Sequence, residues 1–164
     1  MAISASAALW FLPFVLPVCF YVAFTDLSRM RITNQSVLVL AAIFLIVGLA
    51  ALPLPVYLAR LIQMVVVLLV GIALNAGGLV GAGDAKFAAA AAPFIAPGDL
   101  RLLAALVAAN LLAAFCTHRL AKYSPLRRIA PEWKSWDVGW KFPMGLSLAG
   151  TLVIYLALGI VFGA

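Results

Sequence analysis

The chain has 164 residues, of which 67% are hydrophobic and only 10% charged, against roughly 45–50% apolar and about 25% charged for soluble domains. That imbalance excludes a soluble globular domain and makes the chain an integral membrane protein. Its formal charge of +6 then reports on orientation in a bilayer rather than on nucleic acid, which is not an expected partner.

Hydropathy marks six apolar runs, judged against the roughly 17–25 residues that a bilayer requires. The first, Ala7 to Thr25, follows Ala5-Ser6-Ala7; no basic segment precedes it, so it reads as a retained helix rather than a cleaved signal. A polar segment from Asp26 to Gln35 leads to the second run, Ser36 to Leu52, and Pro53-Leu54-Pro55 makes a turn. The third run, Val56 to Leu74, carries Arg60, whose long side chain is expected to snorkel to the interface.

A glycine-rich loop, Asn75 to Gly83, precedes the fourth run, Ala85 to Ala96, which contains Pro93 and is too short to span alone. Pro97-Gly98-Asp99 closes it, and the fifth run extends from Leu102 to Cys116 through Asn110. The polar segment His118 to Lys141 holds Trp133, Trp136 and Trp140 at spacings that predict a helix lying at the headgroups, its tryptophans forming an interfacial belt and His118 an interfacial residue. The sixth run, Phe142 to Phe162, opens on Pro143. The fold class is therefore all-α: a polytopic membrane protein with six transmembrane helices in one domain, residues 1–164.

Alternating spans put the loops after the first, third and fifth runs on one side. That side carries Arg29, Arg31, Lys86, Arg119, Lys122, Arg127, Arg128, Lys134 and Lys141, leaving only Arg60 and Arg101 for the other. The positive-inside rule makes the basic side cytoplasmic and places both termini outside. Asp26 and Asp84 both fall at the cytoplasmic boundary, whereas Asp99 lies in an outside turn and Glu132 and Asp137 in the amphipathic segment.

Two carboxyls brought together can share a proton, one acting as general base on water while the other protonates a carbonyl oxygen. That chemistry calls for no metal and no cofactor. Neither Cys19, Cys116 nor His118 stands at metal-ligand spacing, and no Gly-x-Ser-x-Gly elbow or His-Glu-x-x-His helix offers another route. Plainer readings exist: Asp84 as a helix N-cap, Asp26 as an ordinary interfacial residue, Lys86 as a headgroup anchor. The runner-up functions are a small transporter or channel and a noncatalytic membrane subunit of a secretion or pilus machine.

Asp26 with Arg31, Ile32 and Asn34, followed by Gly81-Ala82-Gly83-Asp84-Ala85-Lys86 and by Pro143-Met144-Gly145 opening the last helix, resembles the type IV prepilin peptidases, aspartic proteases of the Gly-x-Gly-Asp kind. The resemblance implies a membrane endopeptidase of the inner (cytoplasmic) membrane that removes a basic leader from a prepilin at the cytoplasmic face, while the substrate's apolar helix stays in the lipid bilayer. It implies Asp26 and Asp84 as the catalytic pair, with Gly81, Gly83, Lys86, Pro143 and Gly145 in support. Gly81 and Gly83 are expected to admit an extended backbone and to permit positive φ. The family's first motif usually has proline where this chain has Thr33, which is expected to loosen that turn. The chain resembles the short, peptidase-only form of tight-adherence pilus systems or archaea, with no methyltransferase domain. Helix dipoles and nearby Lys86 lead to the expectation that Asp84 ionises before Asp26.

Overall fold

In the computed structural model, α1 (Ala5–Arg29) is the element around which the others assemble. Residues 1–139 and 142–164 are described; Trp140 of the expected tryptophan belt and Lys141 of the basic count lie outside the described residues. α1 starts at Ser4, whose hydroxyl caps the Ala7 N–H at 3.3 Å. It buries Ala7, Phe11, Val15, Val18, Val22 and Asp26, a stripe spaced at three and four residues. Pro13 and Pro17 each remove a backbone hydrogen bond, a loss that neighbouring helices make tolerable in a membrane.

The remaining helices are α2 (Asn34–Ala51), α3 (Leu54–Ala76), α4 (Ala82–Ala91), α5 (Leu100–Lys122) and α6 (Met144–Phe162). Among the described residues there is no strand. Five helices among these residues are long and apolar enough to cross a membrane; α4, with 10 residues, is not. The expected fourth span is therefore a half-helix. Pro93 cannot continue it, and the chain passes into 3-10 turns at Ala92–Phe94 and Pro97–Asp99. Gln63 on α3 answers the carbonyls this break exposes, its side-chain amide donating to Ala92 O at 2.9 Å and Ile95 O at 3.3 Å.

α6 packs along α1, and Phe11, Phe44, Phe94 and Tyr57 knit α1, α2, α3 and the turn after α4. At the end where both termini lie, Asp99 is buried and structural. Its carboxylate accepts from Ala2 N at 2.7 Å, Ile3 N at 3.1 Å and the Tyr155 hydroxyl at 2.7 Å. Arg60, expected to snorkel, is instead buried and donates to Gln63 Oε1 at 3.5 Å. It lies within electrostatic reach of the Asp99 carboxylate rather than at the interface.

The expected amphipathic helix over 118–141 does not form as one element. α5 continues to Lys122, after which Pro125 opens a 3-10 turn, a second 3-10 turn covers Lys134–Trp136, and Gly139 has φ +63°. Pro125 and Pro131 lack the N–H donors that a continuous helix needs. Trp136 is buried rather than part of a belt: it stacks on the buried His118 at 4.9 Å and donates from its indole N–H to Ala130 O at 2.7 Å.

Candidate active site

Asp26 is the buried acid in the last turns of α1. The chain leaves α1 through Met30, at φ 54° and ψ 43°, the single non-glycine residue with positive φ among the described residues. A left-handed side chain costs about 1–3 kcal/mol and persists where surrounding structure holds it, often at functional sites. Here it folds Arg31 and Ile32 back beside Asp26 before α2 begins. Thr33 does not loosen this turn. Its hydroxyl caps α2 by accepting from Ser36 N at 3.2 Å, a bond that proline in its place could not make.

The Asp26 carboxyl is held by the start of α6. Gly145 lies in the first turn of that helix, where backbone N–H groups have no intrahelical partner, and it donates to Asp26 Oδ2 at 2.6 Å. A Cβ on Gly145 would fall 2.9 Å from Asp26 Oδ2 and 3.1 Å from its Cβ and Cγ. Glycine is thus required by close approach. Pro143, buried just ahead of Met144, sets the entry into α6 and occupies a position where a missing N–H costs nothing.

Asp84 stands in the first turn of the half-helix α4. The N-cap is Gly81 and carries no side-chain bond, so Asp84 is not spent as a cap. No hydrogen bond from a described residue reaches its carboxyl. Gly81 and Gly83 do not supply positive φ: Gly81 has φ −62°, and the left-handed glycine of this loop is Gly78, at φ +72°. Their role is room. A Cβ on Gly81 would sit 2.7 Å from Asp84 Oδ2, and one on Gly83 would sit 3.3 Å from Ile32 Cβ, where α4 meets the turn after α1.

Asp26, Asp84, Arg31, Ile32, Asn34 and Lys86 enclose, with the backbone of Gly81–Gly83 and Met30, one cavity of about 340 Å³. The two carboxyls share it without a direct hydrogen bond to each other among the described residues. Lys86 donates to Asn34 Oδ1 at 3.0 Å, which ties α4 to α2 at the cavity's edge rather than pairing with Asp84. Burial pushes the Asp84 carboxyl above the usual carboxylate range.

Of the seven site residues read from the sequence, Asp26, Asp84, Gly81, Gly83 and Lys86 line the cavity, while Pro143 and Gly145 act on it through Asp26. What the sequence reading did not find is an aromatic ladder behind the site. Phe24 of α1 meets Trp133 edge-on at 6.2 Å, Trp133 stacks on Trp136 at 5.6 Å, Trp136 on His118 at 4.9 Å, and His118 meets Phe142 at 5.8 Å. It joins the ends of α1 and α5 to the residue just before Pro143. Spacing of the tryptophans by three and four residues was the available signal, and it also fits an interfacial belt. Trp136→Ala should therefore cost about 3 kcal/mol and speed hydrogen exchange at the Gly145 amide, with Trp136→Phe restoring part of both. Unchanged exchange at that amide would separate the ladder from the site.

No curated protein and no solved structure matches the chain. The model of the type IV leader peptidase family does match, over residues 13–118, a stretch that includes both aspartates, the glycines between them and Lys86. Since that match covers well over half of the chain, this protein belongs to the type IV leader peptidase family.

Proposed function

We propose that this multi-pass membrane peptidase is an aspartic endopeptidase that cuts the basic leader from prepilin-like precursors at the cytoplasmic face, with Asp26 and Asp84 activating water. The single observation that carries the reading is the convergence of these two acids, from separate helices, on one cavity. One carboxylate takes a proton from water as its oxygen adds to the scissile carbonyl carbon, and the other carboxyl gives its proton to the carbonyl oxygen. The tetrahedral species then expels the amine, which takes the proton that the first carboxyl drew from water as the C–N bond breaks, while a hydroxyl proton of that species returns to the second carboxyl. Gly81 and Gly83 leave the Asp84 side of the cavity open to an extended backbone, and Gly145 fixes one oxygen of Asp26.

Nine of the eleven basic residues fall in loops on the aspartate side by sequence, which supports the inner membrane with that side cytoplasmic and both termini outside. The partners on this reading are the prepilin and the lipid bilayer. The test is incubation of the purified chain in lipid nanodiscs with a synthetic precursor, a basic leader followed by an apolar helix. Mass spectrometry should find a cut at the leader–helix junction, unaffected by a metal chelator; an intact precursor, or a cut abolished by chelation, rejects the aspartic mechanism.

The raised Asp84 carboxyl has a stability signature. A folded-state value above the unfolded one contributes stability that is complete at low pH and is lost as pH rises through the folded value. Asp84→Asn, which cannot ionise, is therefore expected to melt at or above the wild-type temperature at neutral pH while losing activity. Its advantage should vanish on acidification; a lower melting temperature at neutral pH would show that the ionised carboxylate is structural.

A further inference from the structure

Among the described residues three apolar recesses open on the lipid-facing surface, and one of these shares lining residues with the aspartate cavity. The first lies between α1 and α6, around Cys19, Ala23 and Gly150, and the second between α3, α4, α5 and α6, around Val67 and Val107. Neither shares a lining residue with the aspartate cavity. The third, about 480 Å³, runs between α2 and α3 over α4, and its lining includes Asn34 and Lys86, which also line the aspartate cavity.

The shape of this groove follows from how the α2–α3 hairpin is held. At the end joined by the proline turn the two helices are locked: Phe44 stacks on Tyr57 at 5.6 Å, the Tyr57 hydroxyl donates to Leu45 O at 3.1 Å, and a Cβ on Gly48 would lie 3.3 Å from both rings. Toward the aspartate end they part, and α4 fills only the floor. Val37 and Ala41 of α2 face Val65 and Leu68 of α3 across the gap, above Ala89 and Ala90. Small floor residues let another helix approach closely, which matters in lipid, where packing rather than water exclusion drives helix association.

From this geometry we infer that the groove is the docking track for the substrate's own apolar helix. The inference rests on the peptidase reading and adds a location to it. A helix laid between α2 and α3 would end at Asn34 and Lys86, and the extended segment preceding it would pass directly over Gly81–Gly83 to the aspartates. A hydrogen bond from Lys86 to Asn34 closes the rim between groove and cavity, so the two lie on either side of a single polar contact. Lipid chains fill the groove when no substrate is present, and the helix displaces them.

Two measurements on the full chain in nanodiscs test this. A synthetic precursor carrying benzophenone at the middle of its apolar helix is photolysed on the protein, and the adducts are mapped by mass spectrometry. They are expected within residues 37–41 of α2 and 64–68 of α3. Adducts on residues 16–23 and 146–154, in the α3–α6 crevice, or scattered over all lipid-facing helices, as for an apolar chain that merely dissolves in lipid, overturn the groove.

Steady-state cleavage is then measured for Ala41→Trp and Val65→Trp, which narrow the gap. Each is expected to raise KM for the precursor about tenfold with kcat within about twofold of wild type. Val107→Trp, in the unconnected crevice, should leave both unchanged. Wild-type KM in both groove variants overturns the track while leaving the peptidase reading intact. If the wild-type chain cuts nothing, the peptidase reading fails, and the position of the adducts alone decides whether the groove holds a helix.

Discussion

Asp26→Asn and Asp84→Asn are each expected to lower kcat/KM for leader cleavage by roughly 10²–10⁴-fold, and the double variant should be little worse than either alone. Both substitutions keep size and shape. Asparagine at position 26 retains an oxygen that can accept the Gly145 N–H now held at 2.6 Å, and Asp84 has no hydrogen-bond partner among the described residues to lose. The helices therefore have no reason to move, and the loss is chemical: an amide neither takes a proton from water nor gives one to a carbonyl. Two groups acting as one unit give strongly non-additive losses. Near-wild-type turnover in either variant would remove the pair from the mechanism. Equal single losses that multiply in the double variant would mean independent roles.

The second large effect is expected at Gly145, which touches no substrate in this reading. Gly145→Ala places a methyl 2.9 Å from Asp26 Oδ2 and 3.1 Å from two further atoms of the same side chain. Either the carboxyl turns away or α6 retreats, and both outcomes break the bond that fixes Asp26. A misplacement of about 1 Å at a reacting group costs on the order of 10²-fold, so kcat should fall by about that factor while helix content is retained. Gly83→Ala provides the internal comparison. Its methyl meets Ile32 Cβ at 3.3 Å, a contact relieved by a shift of a few tenths of an ångström, and the expected loss is under about tenfold. Reversed order of the two variants, measured by single-turnover kinetics, would mean that the α4–Ile32 contact rather than the α6–Asp26 contact sets the site.

Much of the site is local in sequence, and for that reason legible. Gly81-Ala82-Gly83-Asp84 and the Asp26–Asn34 segment announce themselves as polar and glycine-rich breaks in apolar runs. Gly81 and Gly83 serve close approach rather than positive φ, because the left-handed turn was placed at Gly78 and, unexpectedly, at Met30. Asp99, to the sequence an outside turn residue, is a buried acceptor for the N-terminal backbone and Tyr155. Arg60 turns inward toward the same group. In each case the deciding partner lies far away in the chain, where periodicity and composition carry no signal.

By itself, then, the sequence determined the class of molecule, the order of the helices, the shortness of the fourth and the two acids at one end, because hydrophobic length and proline or glycine placement act through the solvent and the local backbone. Only the tertiary structure decided that α6 delivers the Gly145 N–H to Asp26, that Lys86 bonds Asn34 instead of Asp84, and that Trp133 and Trp136 stack in line with His118. Those outcomes depend on distances between helices. Packing fixes such distances through the joint fit of many side chains, a property no single stretch of the chain contains.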